Sequence, residues 1–106
     1  MILATTELIA HKKVVKTLGL VKGNTIRARH IGRDIGAAIR NLVGGEVSEY
    51  TKMLAESREQ AVDRMVEDAK ALGANAIVEV RFSTSSMMQG AAEMLVYGTA
   101  VVVEDD

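Results

Sequence analysis

The sequence contains no cysteine and no proline. Without cysteine the chain cannot form disulfide bonds, thiolate zinc sites, iron–sulfur clusters or cysteine nucleophiles. The same absence agrees with a reducing compartment, so we predict a cytoplasmic protein. Without proline, only glycine and polar residues remain to interrupt the helices and strands.

Aromatic residues make up only 3% of the chain, and the net charge is −1. Three aromatic side chains, Tyr50, Phe82 and Tyr97, are too few for the stacking platforms that bind single-stranded nucleic acid. A nearly neutral chain is not attracted in bulk to nucleic acid or to an anionic membrane surface. No run approaches about 18 consecutive apolar residues, so no membrane-spanning helix is predicted. We therefore predict neither nucleic acid nor a membrane as a partner.

The chain has 106 residues, of which 48% are apolar and 25% are charged. This balance is typical of a globular protein, and the length predicts one domain that covers 1–106. The first apolar residues precede Lys12 and Lys13, which is the reverse of the order in a secretory signal. No repeat, linker or low-complexity segment divides the chain.

The stretch from Glu46 to Leu72 is predicted to form one long amphipathic helix. Apolar residues recur there at spacings of three and four, which places them on one helical stripe. The stripe consists of Val47, Tyr50, Leu54, Ala61, Val62, Met65, Ala69 and Leu72. Gly73 follows the helix, as is typical of a left-handed cap.

Two features of this helix are unusual. Arg58 falls near the middle of the apolar stripe, where a guanidinium needs acceptors because it keeps its proton. Either Arg58 extends along the apolar surface or pairs with a carboxylate, or it binds an anion in a cleft. The opposite face is acidic and includes Glu59, Asp63 and Glu67, which is typical of a solvated face; a divalent-cation site is the alternative.

Strands are predicted on both sides of this helix. The first covers 2–5, and 14–30 forms either a hairpin that turns at Gly23-Asn24 or one long strand bent at Gly19 and Gly23. Arg27 and Arg29 share one face of it, where they are either solvated or bind a small anion. A short helix is predicted over 31–43, and a strand over 74–84 with Ala76, Val78, Val80 and Phe82 on one face. A polar connection is predicted over 83–93 and a last strand over 94–104.

The last strand is apolar on both faces, whereas a strand with one wet face alternates. One face carries Leu95, Tyr97, Val101 and Val103, and the other carries Met94, Val96, Ala100 and Val102. Such a strand needs cover on both sides, and we predict that a second copy of the chain covers the side away from the long helix. The order of elements predicts an α/β (α+β) two-layer sandwich with a mainly antiparallel sheet, one long helix and one short helix.

No catalytic motif is recognisable. His11 and His30 are the only histidines, and no Ser–His–Asp set, HExxH sequence or dinucleotide fingerprint is present. His30 follows an alternating strand, and Glu46 follows a double glycine. An enzyme would require His30, Glu46 and Arg58 to converge, and we do not predict one.

Several blocks of the sequence resemble a known family. They are LGLVKGNTI at 18–26, Asp34, GGE at 44–46, Tyr50, AESREQAVDRM at 55–65, LGANAIVEVRF at 72–82 and YGTAVVV at 97–103. In their order and over nearly the whole chain they are similar to the YbjQ family, also called UPF0145, which bears a heavy-metal-binding label. The resemblance implies a dodecin-like subunit that assembles as a ring, as a pentamer or a pair of pentamers.

Two functional hypotheses follow. In the first, the protein is a non-enzymatic homo-oligomer that binds a small ligand at subunit interfaces, with Arg58, His30, Glu46 and Tyr50 as the candidate ligand-binding residues. In the second, carboxylates and imidazoles of several subunits bind a metal ion around a ring axis. A single chain offers no cysteine and only isolated histidines, so we assign no metal ligands and leave the cofactor unassigned.

Overall fold

A long helix lies on a four-stranded sheet in the part of the chain that the computed structural model describes, which is residues 1–28, 47–88 and 91–106. The elements in chain order are β1 (Ile2–Leu3), β2 (Lys12–Ala28), α1 (Val47–Ala71), β3 (Ala76–Met88) and β4 (Ala91–Asp105). The predicted short helix over 31–43 lies outside the described residues.

The strands are arranged in the order β1-β3-β4-β2. The central strand β4 pairs antiparallel with both β2 and β3, and the two-residue β1 pairs parallel with β3. The sheet is therefore mixed but mostly antiparallel, with one helix packed on it. This confirms the predicted α+β class and the antiparallel character of the sheet.

The region predicted as either a hairpin or one bent strand is the single strand β2, 17 residues long. Its pairing with β4 shifts register between Val14 and Lys16 and between Thr17 and Gly19. Gly19 has a φ of 123°, which L-residues rarely adopt, so a glycine permits the second shift. Gly23 does not turn the chain; it lies where α1 crosses the strand closely.

The long helix is confirmed nearly to its predicted bounds. Gly73 has a φ of 86°, and its amide donates to the Lys70 carbonyl at 3.0 Å, while the Ala74 amide donates to the Ala69 carbonyl at 3.1 Å. These bonds satisfy carbonyls that the helix end leaves without partners. The prediction for Leu72 was wrong: it lies beyond the helix end and is 48% exposed.

The main core lies between α1 and one face of the sheet. Its buried members are Val21, Ala61, Met65, Ala69, Ile77, Val80, Val96 and Ala100. Small helix residues alternate there with Met65, so the helix backbone approaches β2 and β4 closely. Burying an apolar side chain of this kind stabilises the fold by roughly 1.5–3 kcal/mol.

Strand β3 contains a bulge that the sequence did not reveal. Glu79 has a φ of 56°, and the pairing with β4 shifts between Val78 and Arg81. Ile77 and Val80 therefore lie on the same side, against α1. The predicted alternation that placed Val78, Val80 and Phe82 on one face was wrong because the extra residue reverses the alternation beyond it.

The connection predicted over 83–93 was also wrong, since β3 extends to Met88 and β4 begins at Ala91. Ser83 pairs with Leu95 and Met88 pairs with Ala91. Polar side chains are compatible with this hairpin arm because most of them are exposed to solvent.

The sheet face away from α1 is covered at one end by the chain's own N-terminal segment. Ala76, Val78, Val101 and Val103 form a buried cluster there, and Ile9 packs against it. The Val80 amide donates to the Ala4 carbonyl at 3.0 Å, and the Glu79 amide donates to the Thr6 carbonyl at 3.2 Å. At this end, cover from a second copy is not needed.

A buried hydroxyl pair joins α1 to β2. The Thr25 and Ser57 hydroxyl oxygens are 2.7 Å apart, and the Thr25 hydroxyl also lies 3.1 Å from the Ser57 carbonyl, to which it donates.

We expect Ser57→Ala to lower the free energy of unfolding by about 1 kcal/mol, the net value of one hydrogen bond. In denaturant titrations, Thr25→Val combined with Ser57→Ala should cost less than the sum of the single changes. Thr17→Val, on the exposed part of β2, is the control, and strict additivity would contradict the pairing.

An ion pair joins the start of β2 to the end of β4. The Lys12 Nζ lies 2.5 Å from the Asp105 Oδ1, and the hydrogen bond and charge of Lys12 lower the pKa of Asp105 below 3.8. A lowered folded-state pKa stabilises the protein above the unfolded-state pKa, and this contribution is lost as the pH falls through the folded-state pKa. NMR titration should place the midpoint of Asp105 below that of an unpaired aspartate. Lys12→Ala should raise it and Lys13→Ala should not; equal midpoints in all three proteins would contradict the ion pair.

Candidate functional site

Arg58 is the one predicted ligand-binding residue whose side chain the structure describes. It is exposed and does not occupy the centre of the helix face that packs on the sheet. Ser57 occupies that face instead and is fully buried. Arg58 lines an open depression on the surface of α1, to which the described residues contribute Lys52, Ala55, Glu56, Arg58, Glu59 and Gln60.

The structure does not describe the side chains of the other three candidates. His30 and Glu46 lie outside the described residues. Tyr50 belongs to the first turn of α1, where the structure describes the backbone but not this side chain. Their convergence with Arg58 stays a prediction. Arg27 does have defined partners on α1: its Nε donates to the Ser57 hydroxyl at 3.3 Å, and its guanidinium also hydrogen-bonds Gln60.

Within residues 1–28, 47–88 and 91–106, no group of three histidine or acidic side chains converges in a way that could hold a metal ion. The acidic side chains of α1 point outward from a convex surface, and Glu56, Glu59, Asp63 and Glu67 are all exposed. A hard cation requires oxygens that converge from several directions. The described part of one chain therefore forms no cation site on this helix face.

An apolar surface lies on the face of the sheet away from α1. We call it the sheet-face patch and define it by Leu20, Ile26, Leu95 and Tyr97. Leu20 is 67% exposed, Ile26 is 57% exposed and Tyr97 is 39% exposed. The neighbouring residues Val21 and Val96 belong to the core under α1, so the patch residues point to the opposite side.

Two cations flank Tyr97 in this patch. In the strand register, Tyr97 of β4 lies opposite Lys22 of β2 on one side and opposite Arg81 of β3 on the other. All three side chains are exposed and share one face of the sheet. The Arg81 guanidinium is held in place by Glu79 Oε2 at 2.9 Å and by the Thr5 carbonyl at 2.7 Å. The sheet-face patch therefore has charges of both signs beside it: Lys22 and the Arg81–Glu79 ion pair lie next to Tyr97, and Glu93 lies opposite Ile26.

A second apolar surface lies beside α1. Gln60 and Arg64 bond to β2, so the opposite flank of the helix, with Val62 and Val66, faces β4 and β3. Val62 and Val66 are only half-buried. Phe82 pairs with the core residue Val96 and so points to the same side as α1, yet it is 53% exposed. We call Val62, Val66 and Phe82 the helix-side groove.

The shape of the chain agrees with these uncovered surfaces. Strand β2 alone, with 17 residues, spans roughly 56 Å at about 3.3 Å per residue. The principal extents are 55 × 22 × 16 Å. The radius of gyration is 17.4 Å, whereas a compact domain of this length has about 13 Å. A thin, elongated subunit covers less of its own apolar surface than a round one does.

Sequence reasoning identified Leu95 and Tyr97 but missed Leu20, Ile26 and Phe82. Leu20 and Ile26 were not assigned to a face because the hairpin and the single strand for 14–30 would orient them differently. Phe82 was misplaced by the bulge at Glu79. The usable signal was weak: 14–26 is rich in β-branched and apolar residues, which favours a strand, but Lys16, Gly19, Lys22, Gly23 and Asn24 interrupt it.

The model of one family matches residues 1–104, and this family carries the description "Putative heavy-metal-binding". A UPF0145 protein of Clostridioides difficile is 61% identical over all of this chain and 95% of its own length. A UPF0145 protein of Dehalococcoides mccartyi is 62% identical over 98% of this chain and all of its own length. A UPF0145 protein of the archaeon Methanosarcina acetivorans is 58% identical over 97% of each chain.

A solved structure shares the fold. It is a protein of unknown function of the DUF74 family from Pediococcus pentosaceus, with a TM-score of 0.70 over 98% of both chains and 14% sequence identity. At this identity the likeness concerns the fold alone. In addition, no helix among the described residues, α1 included, is long and apolar enough to cross a membrane.

Proposed function

Because this chain belongs to the YbjQ family, also called UPF0145, we propose that it is a homo-oligomeric cytoplasmic protein which binds a small ligand between its subunits. The observation that supports the assembly is the sheet-face patch, where Leu20, Ile26 and Tyr97 are exposed on one face, with Lys22 and Asn24 between Leu20 and Ile26. Exposed apolar surface bordered by polar residues is typical of protein–protein contact sites.

The energetics favour burial of this patch between copies. Complete burial of one leucine or isoleucine side chain contributes roughly 1.5–3 kcal/mol, and Leu20 and Ile26 have more than half of this burial still available. The N-terminal segment covers only the end of the face near Val101 and Val103. No other segment among the described residues is seen to cover the remainder, and we propose that another subunit does. The dodecin-like ring, as a pentamer or a pair of pentamers, is the form of assembly that we propose.

Arg58 is the proposed ligand contact. It is exposed on α1 beside Val62, so a neighbouring subunit that covers this flank would partly desolvate the guanidinium. A desolvated arginine binds carboxylate or phosphate groups more strongly than an exposed one. A small anion at the subunit boundary is therefore the class of ligand that we propose, with Tyr50, His30 and Glu46 as further contacts.

A charge placed in the sheet-face patch tests the assembly. We expect Leu20→Asp to dissociate the oligomer, because a carboxylate buried at the contact without a partner costs several kcal/mol. Leu8→Asp is the matched control: Leu8 is 75% exposed and lies outside both apolar surfaces. Light scattering after gel filtration should give the mass of one chain for Leu20→Asp and an unchanged multiple for Leu8→Asp. Unchanged mass in both variants would contradict the proposed role of the patch.

Metal binding is the second candidate, and the description of the family favours it. Because the described residues of one chain form no metal cluster, the ligands would come from several subunits. Protein purified without chelators should then contain metal in fixed proportion to the oligomer, and divalent ions should raise its melting temperature. Elemental analysis that finds no stoichiometric metal, with no thermal shift, would exclude this candidate.

A further inference from the structure

The helix-side groove continues past Val62 to Arg58. On α1, Arg58, Val62 and Val66 recur every fourth residue and therefore form one ridge along the helix. The helix packs mainly on β2 and β4, and Phe82, on the same side of the sheet but on β3, remains 53% exposed. The groove thus lies between this ridge and β3, above β4.

Two rows of paired residues locate the ends of the groove. The row under Ser57 of α1 consists of Thr25, Met94 and Thr84. The row under Ala61 consists of Gly23, Val96 and Phe82. Arg58 and Val62 directly follow Ser57 and Ala61 on the flank towards β3, so Arg58 lies near the first row and Val62 near the second.

Arg58 is a cation among apolar neighbours on its helix. The residues three and four positions away, which could pair with it, are Leu54, Ala55, Ala61 and Val62. Among the described residues no carboxylate lies within ion-pair distance of Arg58. Its guanidinium therefore keeps donors for an acceptor from outside the chain.

The other charges near the groove are already paired or point away from it. Lys70 ends the same ridge, but its Nζ lies 3.9 Å from the Glu67 Oε1. Glu59 borders the Arg58 depression from the outer surface of α1, where it is exposed, and Asp63 is exposed one turn further along that surface. On β3, the groove is lined by the uncharged side chains of Phe82 and Thr84. The groove is therefore apolar with one cation at one end.

We infer that the helix-side groove binds a monocarboxylate with an unbranched apolar chain, whose carboxylate pairs with Arg58 and whose chain lies along Val62, Val66 and Phe82. The anion contact of Arg58 belongs to the proposed function, on which this assignment rests and to which it adds the chemical class of the anion. One guanidinium balances one negative charge, which favours a carboxylate over a phosphate dianion. A small polar anion would leave the apolar part of the groove uncovered.

The dimensions suit a chain of moderate length. From Arg58 to Val66 the ridge extends for about 12 Å at about 1.5 Å per residue, and an extended octanoate fits within this length. A neighbouring subunit that covers this flank of α1 would close the groove over the chain.

Titration calorimetry at low ionic strength with octanoate, acetate and octylammonium tests the assignment. A fully buried methylene contributes about fourfold in affinity, and about twofold when only one side is covered. Octanoate should therefore bind at least about tenfold more tightly than acetate. Octylammonium has the same chain and the opposite charge, so it should bind about tenfold more weakly than octanoate.

Variants on the two parts of the groove locate the ligand. Arg58→Gln should weaken octanoate binding about tenfold, whereas the control Lys70→Gln, at the other end of the ridge, should change it less than about twofold. Phe82→Ala should weaken octanoate about threefold and leave acetate unchanged. Its control is Val14→Ala, which lies opposite Val103 on the other face of the sheet. Circular dichroism verifies that each variant is folded.

Several results would overturn the assignment. Equal affinities for octanoate and acetate would show that the groove takes no chain, while the anion contact of Arg58 would stand. Equal affinities for octanoate and octylammonium, or a loss of octanoate binding in Lys70→Gln but not in Arg58→Gln, would show that Arg58 does not hold the carboxylate. If none of the three probes binds, the assignment and the anion contact proposed for Arg58 fail together.

Discussion

Replacement of Gly23 by alanine is expected to lower the free energy of unfolding by about 3 kcal/mol or more. A Cβ at this position would lie 2.0 Å from the Ala61 carbonyl oxygen and 2.6 Å from the Met65 amide nitrogen. Both are backbone atoms of α1, so no side-chain rotation can relieve the contact. The helix would have to move away from β2, which would also loosen the buried contacts of Val21 and Met65.

Equilibrium unfolding in urea at a fixed protein concentration measures this effect. Lys16→Ala, at an exposed position of the same strand, is the control and should change the free energy of unfolding by less than about 0.5 kcal/mol. If Gly23→Ala matched this control, the close crossing of α1 over β2 would be contradicted.

Met65→Ala is expected to cost about 2–5 kcal/mol, the range for large-to-alanine changes in a packed core. Met65 is fully buried between α1 and the sheet. Alanine has the higher helix propensity, so the loss would arise from the cavity and the lost burial and not from the helix itself. Because the neighbouring core residues on this helix, Ala61 and Ala69, are already small, little side-chain volume is available to fill the space.

The matched control is Met53→Ala, which removes the same atoms from a half-buried position of the same helix. Its cost should be clearly smaller. Differential scanning calorimetry should show a lower melting temperature for Met65→Ala than for Met53→Ala. Equal losses at the two positions would contradict the packing of this core.

The sequence was informative wherever one local pattern decided the structure. The periodic apolar residues Ala61, Met65 and Ala69 and the terminal Gly73 determined where the long helix lies and ends. The two apolar faces of β4 were also correct, since Val96 and Ala100 lie under α1 and Val101 and Val103 lie on the other side. These features depend on periodicity and capping, which neighbouring residues encode directly.

Other features depended on contacts between distant segments. Whether 14–28 folds as a hairpin or as one strand was decided by its pairing with β4 along its whole length. The bulge at Glu79 reversed the faces of β3, and it is held by hydrogen bonds to residues more than 70 positions earlier. A periodic pattern contains no such information, because a bulge becomes visible only when the partner strand is known.

The candidate site shows the same division. The prediction that Arg58 lies near the middle of the apolar stripe was wrong, because the helix rotates it out of the core and places Ser57 there. A rotation of about 100° separates these neighbouring positions, and it is Ser57 that faces the sheet, where its hydroxyl contacts Thr25. Leu20 and Phe82 became recognisable as surface residues only through the strand register.

The mass of the unmodified chain in solution tests the central claim most directly. Sedimentation equilibrium at micromolar concentration should give a stable multiple of 11.4 kDa, because Leu20, Ile26 and Phe82 are then covered by neighbouring subunits. A single species with the mass of one chain, unchanged as the concentration is raised, would contradict the account.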